Sequence, residues 1–148
     1  MSGFANLDPA LAINPSAEQV DAFLALPADR PVTMLNLHRY RERAEYAAGC
    51  DVATNERDVS GREAYHRYLR VIEARFLPQV GARFLAIRRA TFTLIGAERW
   101  DEVVVAQYPS TAAAMRLPSL PGYETIAVHR LAGLQAAITL VLDEAVQL

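Results

Sequence analysis

The sequence predicts an α+β fold, a ferredoxin-like split βαβ sandwich with an antiparallel sheet, and three observations carry that prediction. Residues 31–142 read in the order strand, helix, strand, strand, helix, strand. Two β-rich runs flank the turn Gly96-Ala97-Glu98-Arg99, as in a hairpin. Both main helical stretches open on a serine able to cap them, Ser60 and Ser110. The 148 residues suit a single domain. It divides into an N-terminal extension with a short helix (1–30), a ferredoxin-like core (31–142), and a long polar loop (41–59) within that core.

In the extension, Ser16 followed three residues later by Gln19 is a capping box, in which each side chain satisfies a free amide at the helix end. Val20, Phe23 and Leu24 then recur at helical spacing. The helix is expected over 17–26, stopping before Pro27 and serving to pack.

The run from Pro31 to Arg39 is apolar through its middle and polar at its end, which suits a central strand buried on both faces. Alternation sends Val32, Met34, Asn36 and His38 one way and Thr33, Leu35, Leu37 and Arg39 the other. The stretch 41–59 is charged at both ends and long for a connection. It reads as a solvated mobile loop or as a lid.

Ser60 and Glu63 form a second capping box, after which Tyr65, Tyr68, Leu69, Ile72 and Phe76 line one buried stripe. Pro78 and Gly81 close this helix. His66 falls between Tyr65 and Arg67, off the stripe, and is expected at the surface. Arg83–Gly96, with its β-branched and aromatic residues, predicts a long strand; Trp100–Tyr108 predicts its hairpin mate. Ser110 caps a helix over 111–117, Pro118 and Pro121-Gly122 break the chain, and 123–131 resumes as helix. Gly133 stops that helix, and Leu134–Leu142 is the last strand.

Composition removes several function classes. The net charge of −2 gives no electrostatic reason to bind nucleic acid or an anionic membrane. All basic residues are arginine, which reads as biased base composition rather than as function. The single cysteine, Cys50, permits no internal disulfide. The start of the chain lacks the basic-then-apolar layout of a signal peptide, and no apolar run is long enough to span a bilayer, so a cytoplasmic location is expected. Three scattered histidines show no metal-ligand spacing, so no metal is expected. No glycine-rich phosphate loop or G-x-S-x-G elbow occurs, which removes nucleotide hydrolases, Rossmann dehydrogenases and serine hydrolases; no cofactor is expected.

Asn36 and His38 are the candidate catalytic residues. A mid-strand amide needs its hydrogen bonds met and would polarise a carbonyl or hold an enolate-like oxygen. The structural alternative is an amide tying the strand to a neighbouring loop. A histidine on the same face titrates near neutrality and suits general acid–base work, unless it is merely solvated at a strand end. Tyr65, Trp100 and Tyr108 are candidate substrate-binding aromatics, equally able to be core residues with hydroxyls or indole at the rim. Arg130 is the fourth substrate-binding candidate. It would grip a carboxylate bidentately, or else serve its own helix end or a dimer ion pair.

Five stretches in order resemble a bacterial family of uncharacterised dimeric α/β-barrel proteins, grouped as a domain of unknown function. They are Val32-x-Met34-Leu35-Asn36-Leu37, Ser60-Gly61-Arg62-x-Ala64-Tyr65, Trp100-Asp101-Glu102-Val103, Tyr108-Pro109-Ser110 and His129-Arg130-x-Ala132-Gly133-Leu134. The resemblance spans 31–142. It implies a ferredoxin-like protomer whose sheet packs on that of a twofold mate, in a superfamily of cofactor-independent monooxygenases, lactone isomerases, dehalogenation-type enzymes, haem proteins and ligand binders. Pro121-Gly122-Tyr123 departs from the family pattern, with glycine where relatives tend to carry a polar or acidic residue.

The expectation is therefore a homodimer binding a small, partly apolar metabolite; if it is an enzyme, the expected chemistry is cofactor-independent, of isomerase or monooxygenase type. The alternative is a non-catalytic dimeric ligand-binding or assembly module.

Overall fold

A computed structural model describes residues 12–143 and 145–148; the first eleven residues of the expected N-terminal extension lie outside them. Eight elements follow in order: α1 (Ala17–Leu24), β1 (Val32–Tyr40), α2 (Gly61–Val71), β2 (Arg83–Arg89), β3 (Glu102–Tyr108), α3 (Thr111–Arg116), α4 (Tyr123–Gly133) and β4 (Leu134–Leu142). The four strands make one antiparallel sheet in the order β2-β3-β1-β4. This is the ferredoxin-like fold, with β1 at the centre as its apolar run predicts.

Local chemistry starts each helix where the capping residues stand. The Ser16 hydroxyl accepts from Gln19 N (3.1 Å) while Gln19 Oε1 accepts from Ser16 N (2.9 Å). At α2, Ser60 accepts from Glu63 N (3.0 Å), but the Glu63 carboxylate turns to Arg70 (3.1 Å) rather than back to the cap, so only half of that box forms. Beyond Val71 the backbone widens into a π-turn over Ile72–Phe76. It then tightens into a 3-10 turn around Pro78 and ends at Gly81, whose φ of 69° only glycine adopts without strain. The change of pitch lets Ile72, Phe76, Leu77 and Val80 all face the core beside Tyr65, Tyr68 and Leu69.

Some expectations need correction. α1 ends at Leu24, and none of its residues is buried; Phe23 alone reaches the edge of the core. The long strand expected over 83–96 stops at Arg89, and its mate begins at Glu102 rather than Trp100. Pairing ends there because Asp101 turns inward to β1: its N–H donates to His38 O (2.8 Å), and its Oδ2 accepts from Tyr40 N (2.8 Å). One more backbone bond, Ala90 N to Asp101 O (2.9 Å), follows the last ladder pair; beyond it residues 91–99 find no strand partner among the described residues, so β-propensity alone cannot hold them extended. They leave Phe92 (72%), Leu94 (81%) and Ile95 (91%) exposed.

The 41–59 loop is tied down by backbone bonds, from Arg41 N to Gly133 O, Ala44 N to Val59 O and Glu45 N to Ala132 O (each 2.9 Å). Its own Arg57 grips Val52 O (2.8 Å) and Cys50 O (3.0 Å), and Val52 is buried. Tyr46 Oη meets His129 Nδ1 at 2.7 Å, latching the loop to α4.

The helices cover one sheet face. On the other, Leu35 and Leu37 of β1, Val103 and Val105 of β3, and Ile138, Leu140 and Leu142 of β4 share one side by register and stay partly open. Among the described residues, no helix is long and apolar enough to cross a membrane.

Candidate functional site

Alternation along β1 sends Asn36 and His38 under the helices, where a cavity of about 120 Å3 remains between sheet and helices. Five of the six predicted site residues line it: Asn36, His38, Tyr65, Tyr108 and Arg130. Tyr65 comes from the buried stripe of α2, Tyr108 from the end of β3, and Arg130 from the last turn of α4. The remaining wall is mostly apolar, with Met34, Ile72, Phe84 and Leu117 among it.

Trp100 is not in this group. It lines a separate, open cleft of about 900 Å3 beside the root of the 90–99 segment, with the Arg39 guanidinium 4.7 Å from its ring centroid.

Asn36 is held from both sides. Its Nδ2 donates to Val104 O on β3 (2.9 Å), and its Oδ1 accepts from Thr139 Oγ1 on β4 (2.7 Å). One N–H and one lone pair of the amide are left over by these bonds. It bridges neighbouring strands, whereas a structural amide was expected to reach a loop.

His38 is 4% exposed. Its Nε2 lies 3.3 Å from Tyr65 Oη, and Nδ1 has no hydrogen-bond partner among the described residues. If Nε2 donates to the hydroxyl, Nδ1 is a bare lone pair; if it accepts, Nδ1 carries an unmet N–H. Burial lowers the imidazole pKa to about 4, the Arg130 cation pushes the same way, and Glu102 opposes both. His38 is therefore neutral at neutral pH. Burial also raises the hydroxyls of Tyr65 and Tyr108, the latter to about 12, so both stay protonated donors.

Among the described residues, Arg130 brings the cavity its one cation, and no acidic side chain lines it. The guanidinium Nη1 donates to Asn14 Oδ1 (3.0 Å), and Nη2 donates to the Ile13 carbonyl.

A second polar cluster lies beside the first and was not foreseen. Glu102 is 1% exposed, and its carboxylate accepts from Tyr40 Oη (2.6 Å) and Arg62 Nη2 (3.3 Å) and meets His66 Nε2 (2.9 and 3.0 Å). These partners replace the water a buried carboxylate loses. His66, expected at the surface, is turned inward by this carboxylate; its side chain is only a quarter exposed. Tilted ring contacts run from Tyr40 of this cluster through Tyr65 to His38 of the cavity, with Tyr40–Tyr65 centroids 5.3 Å apart and His38–Tyr65 centroids 4.6 Å apart.

Two signals for the second cluster were readable. Tyr40 is the next residue on the face of Asn36 and His38, and counting back in twos from Tyr108 reaches Glu102. Nothing local marked Arg130 as a partner of residues 13 and 14. Among the described residues, no group of three or more histidine, cysteine or acidic side chains is placed to hold a metal.

Comparison with known proteins places the chain. A family model described as "Domain of unknown function (DUF1330)" matches residues 52–143. Among solved structures, the methylated RPA0582 protein aligns at 31% identity over 92% of this chain and 96% of its own, with a TM-score of 0.79. A second structure, of the RPA0582 protein of unknown function from Rhodopseudomonas palustris, aligns at 30% identity over 91% and 98%, with a TM-score of 0.77. No curated protein matches the sequence.

Proposed function

This chain belongs to the DUF1330 family, and on that premise we propose that it is a homodimeric protein that binds a small, partly apolar molecule between sheet and helices. The observation that carries the reading is the unmet Nδ1 of buried His38 beside the cavity. An orphaned polar atom costs about 1–3 kcal/mol unless something satisfies it, and the cavity gives a ligand room to do so. The volume matches about four water-sized groups, which limits the ligand to a few non-hydrogen atoms unless the walls move.

The candidate activity is cofactor-independent proton transfer of the isomerase type. His38 and the protonated Tyr65 would exchange hydrogen bonds with the reacting atoms, and Tyr108 and the spare valences of Asn36 would orient them. A neutral imidazole with a pKa near 4 is a weak base but a good hydrogen-bond donor to a developing oxyanion.

The dimer rests on the open sheet face. Leu35, Leu37, Val103, Val105 and Leu140 form an apolar surface that a second copy would cover with the same residues, the isologous solution of a twofold pair. The exposed Phe92, Leu94 and Ile95 add apolar surface that a partner would bury. Light scattering at micromolar concentration should give twice the chain mass, and Leu37→Glu should halve it. A monomer in the unaltered protein overturns this part.

The site is tested by ligand-observed NMR of the full chain against small fragments. Binders are expected whose signals vanish in His38→Ala while the melting temperature stays within a few degrees. If no fragment binds, or binding survives His38→Ala, the cavity is not a site. Binding without turnover of the captured compound supports the non-catalytic alternative.

A further inference from the structure

We infer that the ligand of this cavity is a small monocarboxylate, held by Arg130 in place of two oxygens that the N-terminal strap, residues 12–14, now lends it. The inference rests on the cavity reading above and goes beyond it by naming the charge and functional group of the ligand.

The charge count comes first. Arg130 lines the cavity with no acidic side chain beside it, and among the described residues no carboxylate pairs with its guanidinium. Its field reaches inward: the cation adds to the lowering of the His38 pKa and opposes the burial that raises the Tyr65 and Tyr68 hydroxyls. A partly buried arginine whose partners among the described residues are neutral oxygens gains charge pairing when a carboxylate takes their place.

The geometry comes next. Nη1 and Nη2 each donate to a different neutral oxygen, the Asn14 amide and the Ile13 carbonyl, on adjacent residues of one strap. Two acceptors on two guanidinium nitrogens are what the two oxygens of one carboxylate supply in a fork-to-fork pair, with charge added. The strap therefore mimics the ligand's head group.

The strap is also built to be exchanged. It belongs to no strand or helix; among the described residues one backbone bond clips it to the edge of β4, Ala137 N to Ala12 O (2.9 Å), and Ile13 is only partly buried against the core. A carboxylate arriving at Arg130 replaces neutral acceptors with charged ones, while the tail of the ligand enters the apolar part of the cavity. Neutralising Arg130 in this way also removes one of the forces that hold His38 down, so the ligand makes its own neighbouring base stronger.

The test titrates the full chain with propionate and with its neutral isostere propionamide, followed by ligand-observed NMR and by the side-chain N–H signal of Arg130. Propionate is expected to bind at least tenfold more tightly than propionamide. Arg130→Gln should erase that preference; Arg130→Lys, which keeps the charge without the fork, should lose most of it and serves if the glutamine variant does not fold. Asn14→Ala, by removing one competing acceptor, should tighten propionate about three- to tenfold and leave propionamide unchanged. Equal affinity for the two probes, or propionate binding that ignores Arg130→Gln, overturns the inference. So does failure of propionate to bind even Asn14→Ala. If His38-dependent fragments are still found in any of those cases, only the carboxylate assignment falls; if none are found, the cavity reading falls with it.

Discussion

The displaced titration of His38 makes a quantitative prediction about stability and pH. Its folded-state pKa of about 4 lies below the ordinary value of 6.5, so between these values the unfolded chain binds a proton that the folded chain refuses. The sign follows: this contribution is fully present above pH 6.5 and is lost as pH falls toward 4. Integrating the two titrations from about pH 7 to about pH 4.5 gives a loss of about 2 kcal/mol from this residue alone. Carboxylates add their own dependence, so the informative quantity is a double difference. Urea unfolding of the unaltered protein and of His38→Gln, at matched protein concentration and at both pH values, isolates it. The glutamine variant should lose about 2 kcal/mol less stability than the parent over that interval, whatever its stability at pH 7. Equal losses in the two proteins would refute the claim that His38 is held neutral by burial and Arg130. An imidazole carbon-bound proton that titrates near 6.5 in the folded NMR spectrum would refute it independently.

Four further outcomes follow from packing and polar chemistry. Gly133→Ala should destabilise by about 1–3 kcal/mol by thermal denaturation despite alanine's better helix propensity. A Cβ there would stand 2.9 Å from Tyr65 N and closer still to the Gly61 carbonyl oxygen, backbone that cannot move aside. Glu102→Ala should cost about 3–5 kcal/mol, because it leaves Tyr40, His66 and Arg62 facing a vacated carboxylate position. Tyr40→Phe, which removes one 2.6 Å bond to that carboxylate, should cost about 1.5–3 kcal/mol in urea unfolding. Ser110→Ala removes the acceptor for Ala113 N (3.0 Å) and should lower stability by about 1 kcal/mol, seen as a fall of a few degrees in melting temperature.

Much of the fold was legible because the signals were local. Ser16, Ser60 and Ser110 each start a helix by a bond to a residue three positions on, a relation written within four letters of sequence. The alternation of β1 and the stripe from Tyr65 to Phe76 likewise follow from the geometry of one element. The clearest failure, the strand expected over 83–96, came where local propensity was strong and pairing absent. Phe92, Thr93 and Ile95 look like a strand, but Asp101 turns into β1 and leaves them without a mate. His66 was misplaced for a related reason, because a buried carboxylate on another element drew it inward.

By itself the sequence determined the order of elements, the central place of β1, and the sharing of one face by Asn36 and His38. These follow from the two-residue repeat of a strand and the 3.6-residue repeat of a helix, which act over one or two turns of chain. Tertiary structure alone decided what those side chains meet. It bound both ends of the Asn36 amide to neighbouring strands, left His38 Nδ1 without a partner among the described residues, and set Trp100 in another cleft. It also brought Arg130 to a strap from the opposite end of the chain. The reason is physical: a periodic pattern fixes direction, whereas a hydrogen bond, a charge balance or a cavity depends on atoms that only folding brings within a few ångströms.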